Sequence, residues 1–288
     1  MTVKDWDTRS KDGLKLHGKY WLPESAPSHI ICLIHGHGEH IGRYEHVAAF
    51  FAEHGIAFFA MDMRGHGQSE GKRGHIPSYE MIFSDIEELI KRARIDYLET
   101  PIILYGHSLG GNFATNYIIH NKTNEIESLI ISSPWLRLAF EPPAAKVKLA
   151  RTMRRIWPSY SEHSKLDAQG LSHDQAVVKA YQEDPLVHDK ISVSLFTRAI
   201  QYGDYAISHA AAISIPVLLM HGEEDPITSI GASKAFADKG KAHGLPVTFQ
   251  PWPAMKHEPH NELEKQKVLD FIADWILKKQ SLSFKPKS

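Results

Sequence analysis

The chain has 288 residues, 42% of them hydrophobic, so it can bury a core large enough for one domain that also carries an insertion. Its 33 Lys and Arg against 34 Asp and Glu leave a net charge of −1, which argues against nucleic acid as a partner and favours a small substrate. The N-terminal segment is polar, and no stretch approaches the roughly 18 apolar residues of a membrane span. We therefore expect a soluble, cytoplasmic protein.

The chain begins with two alternating segments, Trp6 to Arg9 and Lys15 to Trp21, around the turn signal Lys11-Asp12-Gly13, so we predict an antiparallel hairpin. Short apolar runs then alternate with helical segments, which is typical of a parallel sheet covered by helices on both faces. The strand candidates are Ile30 to Ile34, Ile56 to Met61, Ile102 to Tyr105, Leu129 to Ile131, Pro216 to Met220 and Val247 to Trp252; the helix candidates are Arg43 to His54, Ser84 to Tyr97, Leu109 to Asn121 and Leu263 to Leu277.

The alternation lapses between Trp135 and Ile213, where the sequence is largely helical and has no convincing buried strand. We interpret residues 135–213 as one insertion into an α/β core formed by residues 1–134 and 214–288. The insertion lies between two core strands, so it should sit over the strand ends, where open α/β sheets place their ligand crevice.

The segment Gly106-His107-Ser108-Leu109-Gly110 has the form G-x-S-x-G between a predicted strand and a predicted helix. A serine on such a sharp turn takes a strained conformation, and the flanking glycines let strand and helix approach each other closely. The turn presents the hydroxyl of Ser108 to the crevice. This pattern indicates a nucleophilic serine.

A serine hydroxyl needs a neighbouring base, and that base needs an orienting carboxylate. Asp225 follows a strand directly and precedes Pro226, so it is the preferred acid, with Glu223 and Glu224 as rivals. His257, in the loop before the final helix, is the preferred base, with His260 as rival. The chain order Ser, Asp, His is that of an α/β hydrolase.

Two backbone N–H groups are also needed for a developing oxyanion. We assign one to Leu109, after the nucleophile, and the other to His37, in the glycine-rich loop after the first parallel strand.

The 19 histidines match no zinc signature, and the single cysteine, Cys32, lies in an apolar run typical of a buried strand. We predict no metal.

These motifs together resemble the monoacylglycerol lipase and lysophospholipase branch of the α/β hydrolases (serine aminopeptidase S33-like hydrolases). The resemblance is carried by His35 to Tyr44 (HGHGEHIGRY), Asp62 to Ser69 (DMRGHGQS), Gly106 to Gly111 (GHSLGG) and Asp184 to Val187 (DPLV). It implies an α/β-hydrolase fold with an inserted helical cap, a hydrophobic acyl channel, no cofactor, and Ser108, Asp225 and His257 as triad. It also implies that Glu39, Arg43 and His260 surround the alcohol part of the substrate, although a structural role is an equal alternative for each.

Within the insertion, residues 144–157 contain five cations and no acid, beside several apolar side chains; the cations are Lys146, Lys148, Arg151, Arg154 and Arg155. Such a segment can rest on an anionic lipid surface, or it can be an ordinary solvated helix.

We expect a serine esterase acting on a lipid ester, with monoacylglycerols as substrate. The alternatives are a lysophospholipase, a short-chain carboxylesterase, a proline-type aminopeptidase and a non-catalytic binding protein.

Overall fold

A computed structural model describes residues 1–121 and 125–283. Its body is an eight-stranded sheet in the order β1-β2-β4-β3-β5-β6-β9-β10. The strands of this sheet are β1 Thr2–Arg9, β2 Lys15–Leu22, β3 His29–Ile34, β4 Ile56–Met61, β5 Ile102–His107, β6 Ile126–Ser132, β9 Val217–Gly222 and β10 Val247–Trp252.

The sheet is parallel from β4 through β3, β5, β6 and β9 to β10, and β2 runs antiparallel to both of its neighbours, β1 and β4. The predicted hairpin and parallel sheet are thus confirmed. Strands β3, β4, β5 and β9 are buried along their whole length, because helices cover both faces and leave no face for polar side chains.

The helices are α1 Glu45–Glu53, α2 Tyr79–Asp96, α3 Leu109–Asn121, α4 Ala144–Ile156, α5 Gln175–Glu183, α6 Val193–Ser208, α7 Ile230–Ala242 and α8 Lys265–Ser283. Side chains of α1 and α8 pack on one face of the sheet. Side chains of α2, α3, α6 and α7 pack on the other. The result is a three-layer α/β architecture.

Some helix starts differ from those predicted. Helix α2 begins at Tyr79 rather than Ser84, because the Ser78 side chain accepts the N–H of Met81 and caps the helix one turn earlier. The segment predicted as one helix from Arg43 is a 3₁₀ turn over Ile41–Tyr44 followed by α1. The last helix begins at Lys265 rather than Leu263.

The insertion contains α4, α5 and a small antiparallel pair, β7 Ser161–His163 with β8 Lys190–Ser192. This pair was not predicted, since three-residue strands on a partly exposed surface leave no recognisable alternation. Helix α6 behaves differently, because Leu195 and Ala199 are fully buried in the main core. We therefore propose that the cap ends at Ser192 and that α6 belongs to the body, although residues 135–213 were predicted as cap.

Within residues 1–121 and 125–283, no helix has both the length and the apolar character needed to cross a bilayer.

Candidate active site

Ser108 lies between the end of β5 and the start of α3 with φ at 52°, a left-handed conformation that a serine adopts only under strain. Its N–H donates to the Ser132 carbonyl of β6 at 2.9 Å, which fixes the turn against the sheet. A Cβ on Gly106 would overlap the Gly110 carbonyl, and one on Gly110 would overlap the Ile34 carbonyl. The two glycines of the motif are thus required by close backbone approach.

The side chains of Ser108, His257 and Asp225 form one hydrogen-bonded chain. His257 Nε2 is 2.9 Å from Ser108 Oγ, and His257 Nδ1 is 2.8 Å from Asp225 Oδ2. The rival acids Glu223 and Glu224 are exposed. The rival base His260 has no hydrogen bond to Ser108 or Asp225, and instead stacks on Tyr44 with ring centroids 4.9 Å apart.

Asp225 is held by groups that the sequence reasoning missed. Its Oδ1 accepts the N–H groups of Ile227 and Thr228 at 2.8 and 3.0 Å, and its Oδ2 accepts the Thr228 hydroxyl at 2.7 Å. His221, the penultimate residue of β9, places Nε2 3.1 Å from the same Oδ2. In the sequence, His221 is marked by its position directly after the predicted strand Pro216 to Met220 and four residues before the acid. Nothing in the sequence marks Thr228.

The two charges of this pair stabilise each other. Burial opposes ionisation of Asp225, but the charge of His257 and hydrogen bonds from His221 and His257 hold the pKa of Asp225 well below its usual range. Burial likewise opposes protonation of His257, but Asp225 overcomes it and raises the pKa of His257 above its ordinary value. The arrangement stabilises an imidazolium, which is the species formed when a histidine takes the proton of a serine.

The loop after β3 lies directly against Ser108, since a Cβ on Gly36 would lie 3.2 Å from Ser108 Cβ. The buried Glu39 shapes this loop by accepting the Gly36 N–H at 2.5 Å. In the described part of the chain, the N–H groups of His37 and Leu109 have no hydrogen-bond acceptor. Both N–H groups therefore stay candidates for donation to an oxyanion beside Ser108.

Glu39 and Arg43 line the cavity above Ser108, but they are already engaged with other protein groups. Arg43 forms a bidentate pair with the buried Glu258 at 2.7 Å and a further hydrogen bond to Glu39 at 2.6 Å. Burial and the nearby Glu258 charge outweigh Arg43 and raise the pKa of Glu39. For Glu258, burial is outweighed by Arg43, which lowers the pKa. Sequence reasoning did not find Glu258.

His260 does not line this cavity. Its ring is 1% exposed and lies between Tyr44 and His107. The predicted contact of His260 with the alcohol part of a substrate stays a prediction.

The cavity has a volume of about 880 Å³ and two unlike ends. The apolar end is formed by cap and body residues, which include Trp135, Leu149, Ala150, Met153 and Phe196. The other end holds Glu39, Arg43 and Tyr181, whose ring lies 4.8 Å from the Arg43 guanidinium. Such a shape accommodates an amphipathic molecule with its reacting centre near Ser108.

The basic segment forms α4, none of whose residues is buried. Lys146 pairs with Glu162 at 3.1 Å; in the described part of the chain, the other four cations have no acidic partner. Burial and the neighbouring Arg198, Arg151 and Arg155 lower the pKa of Arg154. Leu149 and Ile156 are 62% and 76% exposed beside these charges.

Cys32 is fully buried on β3, where burial raises the pKa of its thiol to about 12. In the part of the chain that the structure describes, no group of three or more His, Cys, Asp or Glu side chains is arranged to hold a metal ion.

The fold and the hydrogen-bonded chain of Ser108, His257 and Asp225 define an α/β hydrolase of the serine type. The serine aminopeptidase S33 family profile matches residues 25–264. A monoacylglycerol lipase of Mycolicibacterium smegmatis is 32% identical over 266 residues, covering 92% of this chain and 94% of that protein. An abhydrolase domain-containing protein of Dictyostelium discoideum is 36% identical over 275 residues, or 96% of this chain, but this chain spans only 29% of its length.

The crystal structure of Paleococcus ferrophilus monoacylglycerol lipase superposes with a TM-score of 0.81 at 30% identity, covering 96% of this chain and 99% of that one. A soluble variant of monoglyceride lipase from Saccharomyces cerevisiae shares the fold, with a TM-score of 0.86 at 22% identity and 96% coverage of both chains. The chain belongs to the serine aminopeptidase S33 family of α/β hydrolases. It is a serine ester hydrolase similar to monoacylglycerol lipases.

Proposed function

We propose that this protein hydrolyses monoacylglycerols through an acyl-serine intermediate, with Ser108 as nucleophile, His257 as base and Asp225 as orienting acid. The observation that carries the proposal is the unbroken hydrogen-bonded chain of these three side chains at the floor of a cavity with one apolar and one polar end.

In the first half of the reaction, His257 Nε2 takes the proton of Ser108 as Oγ attacks the ester carbonyl carbon. The N–H groups of His37 and Leu109 stabilise the oxyanion. The proton then passes from His257 to the departing glycerol oxygen, and the acyl group remains on Ser108. In the second half, His257 activates a water that releases the fatty acid and restores the serine.

Two features support a monoacylglycerol over other esters. The apolar wall from α4 fits an acyl chain, and the polar end holds Arg43 and Tyr181 where a glycerol would lie. The relative from Mycolicibacterium smegmatis, which matches 92% of this chain, is a monoacylglycerol lipase. A lysophospholipid would share the acyl chain but place a phosphate at the polar end, beside the carboxylates of Glu39 and Glu258.

The test combines a nucleophile variant with a substrate panel. Ser108→Ala should lower kcat by about 10⁶-fold and abolish labelling by a fluorophosphonate probe, while Ser208→Ala, at the exposed end of α6, should change neither. Hydrolysis by Ser108→Ala near the unmodified rate would refute the nucleophile. A higher kcat/KM for a lysophospholipid or a short p-nitrophenyl ester than for monoacylglycerols would refute the substrate.

We propose in addition that α4 rests on an anionic lipid surface, since it carries Lys148, Arg151 and Arg155 together with exposed Leu149 and Ile156. Leu149 also lines the cavity. Each cation near an anionic membrane contributes about 1 kcal/mol of attraction.

Co-sedimentation with phosphatidylglycerol and phosphatidylcholine vesicles at low salt tests this. Binding to the anionic vesicles should be strong and should fall in the Arg151→Glu/Arg155→Glu variant. The matched variant Lys239→Glu/Lys241→Glu on α7 should still bind. No binding of the unmodified protein to anionic vesicles would end the proposal.

A further inference from the structure

The cap is hydrogen-bonded directly to the loop that carries the catalytic histidine. We call residues 168–174 of the cap the anchor segment, and residues 253–262 the histidine loop. The N–H groups of His257 and Glu258 donate to the carbonyls of Gly170 and Leu171 at 3.3 and 2.9 Å. The Ser172 hydroxyl donates to the Asn261 carbonyl at 3.0 Å. The backbone position of His257 therefore depends on where the anchor segment lies.

His173, in the anchor segment, lies between two carboxylates that belong to the two loops of the candidate active site. Its Nδ1 is 3.0 Å from Glu262 in the histidine loop, and its Nε2 is 3.2 Å from Glu224 in the loop that carries Asp225. A neutral imidazole has one N–H, so it can donate to only one of these carboxylates. Pairing with both requires the cationic ring.

Glu262 connects this histidine to the catalytic one. Its carboxylate is 3% exposed. One of its oxygens, Oε1, lies 3.0 Å from Nδ1 of His173 and also accepts the N–H of Lys256 at 2.8 Å. Lys256 directly precedes His257. In the described part of the chain, His173 is the only ion-pair partner of Glu262, so the buried carboxylate depends on it for a compensating charge.

We propose that His173 is a positioning residue for His257. It acts through Glu262, and its ring joins the cap to the two loops that carry the acid and the base. A shift of about 1 Å in a catalytic group can cost about 100-fold in rate. Losing the charge of His173 should therefore lower kcat more than it raises KM, because the imidazole that moves the proton is displaced while the cavity keeps its walls.

The other charged groups around His173 do not replace this pairing. Lys256 Nζ donates to the Gln169 carbonyl at 2.7 Å. The carboxylates of Asp167 and Asp174 accept the N–H groups of Gln169 and Ala176. None of these three side chains pairs with Glu262 in place of His173.

Two substitutions separate charge from shape. His173→Gln keeps a side-chain donor but never carries charge, while His173→Arg keeps a charged fork that can reach both carboxylates at every pH. His243→Gln, at the exposed C-terminal end of α7, is the matched control. The readouts are kcat and KM for a p-nitrophenyl ester from pH 5 to 10 and the rate of fluorophosphonate labelling of Ser108, neither of which depends on the natural substrate. Circular dichroism establishes that each variant is folded.

The expected result is a loss of about tenfold in kcat and in labelling rate for His173→Gln, with KM changed by less than about threefold. His173→Arg should restore both rates. His243→Gln should match the unmodified protein. A folded His173→Gln variant with kcat within twofold of the unmodified protein would overturn the proposal, and so would a His173→Arg variant as slow as His173→Gln.

If His173→Gln does not fold, Glu224→Gln tests the same link from its exposed side, since that carboxylate is 54% exposed. Its kcat and its rate of fluorophosphonate labelling should fall, with KM changed by less than about threefold, while the protein stays folded. A folded Glu224→Gln variant with both rates equal to those of the unmodified protein would overturn the proposal.

Discussion

Replacing Asp225 with Asn tests the proposed triad at its least accessible member, and the structure dictates how the new side chain would lie. Oδ1 of Asp225 accepts two backbone N–H groups, from Ile227 and Thr228. In the Asn variant these donors hold the amide oxygen in that place, so the NH₂ group takes the position of Oδ2. In the unmodified protein that position is 2.8 Å from Nδ1 of His257. The NH₂ group of the Asn variant would therefore face Nδ1 as a hydrogen-bond donor.

His257 must respond by carrying its proton on Nε2, which faces Ser108. A ring in that tautomer cannot take the serine proton. The expected loss is about 10⁴-fold in kcat, equivalent to about 5 kcal/mol of transition-state stabilisation. The assay is hydrolysis of a p-nitrophenyl ester, with Glu223→Gln, an exposed acid of the same loop, as control. A kcat of Asp225→Asn within tenfold of the Glu223→Gln value would refute the assignment of the acid.

Two further predictions follow from the charges of the site. Because His257 is a base only when neutral and Asp225 raises its pKa, kcat/KM should rise with pH through a midpoint above the ordinary histidine value of about 6.5; a midpoint below that value in a pH–rate profile would contradict this. Arg43→Met leaves Glu39 and Glu258 buried without their cation, so urea unfolding at neutral pH should show a loss of about 3–5 kcal/mol, against less than about 0.5 for the exposed Arg151→Met; equal stabilities of the two variants would show that the network is not stabilising.

The parallel strands and the nucleophile turn were predictable because their causes are local. Ile102 to Tyr105 is an apolar run of strand length, and Gly106 and Gly110 mark the turn whatever the rest of the chain does. Asp225 and His257 could be selected because parallel strands place their following loops at one edge of a sheet. Those two assignments needed only the order of elements.

The charge network around the site was not predictable in the same way. Arg43 and Glu258 are 215 residues apart in sequence, and no pattern in either segment requires that they meet. The same is true of His173 and Glu262. The stack of His260 on Tyr44 is a long-range contact of the same kind, which neither segment signals.

The position of α6 also lay beyond sequence reasoning. Its helical pattern is the same whether the helix packs in a cap or on the sheet, and only the burial of Leu195 and Ala199 against the body distinguishes the two. A cap boundary predicted from the alternation of strands and helices therefore falls just before the next core strand. It does so even where the helix before that strand packs in the main core, as α6 does.

Helix α4 forms a wall of the cavity and yet buries none of its own residues. The free energy of folding therefore depends little on which side chains it carries, while the length and shape of the acyl chain that fits depend on them directly. Natural variation in this helix can change substrate preference without a loss of stability that other mutations must first compensate. Directed evolution of acyl-chain preference should accordingly begin with Leu149 and Met153.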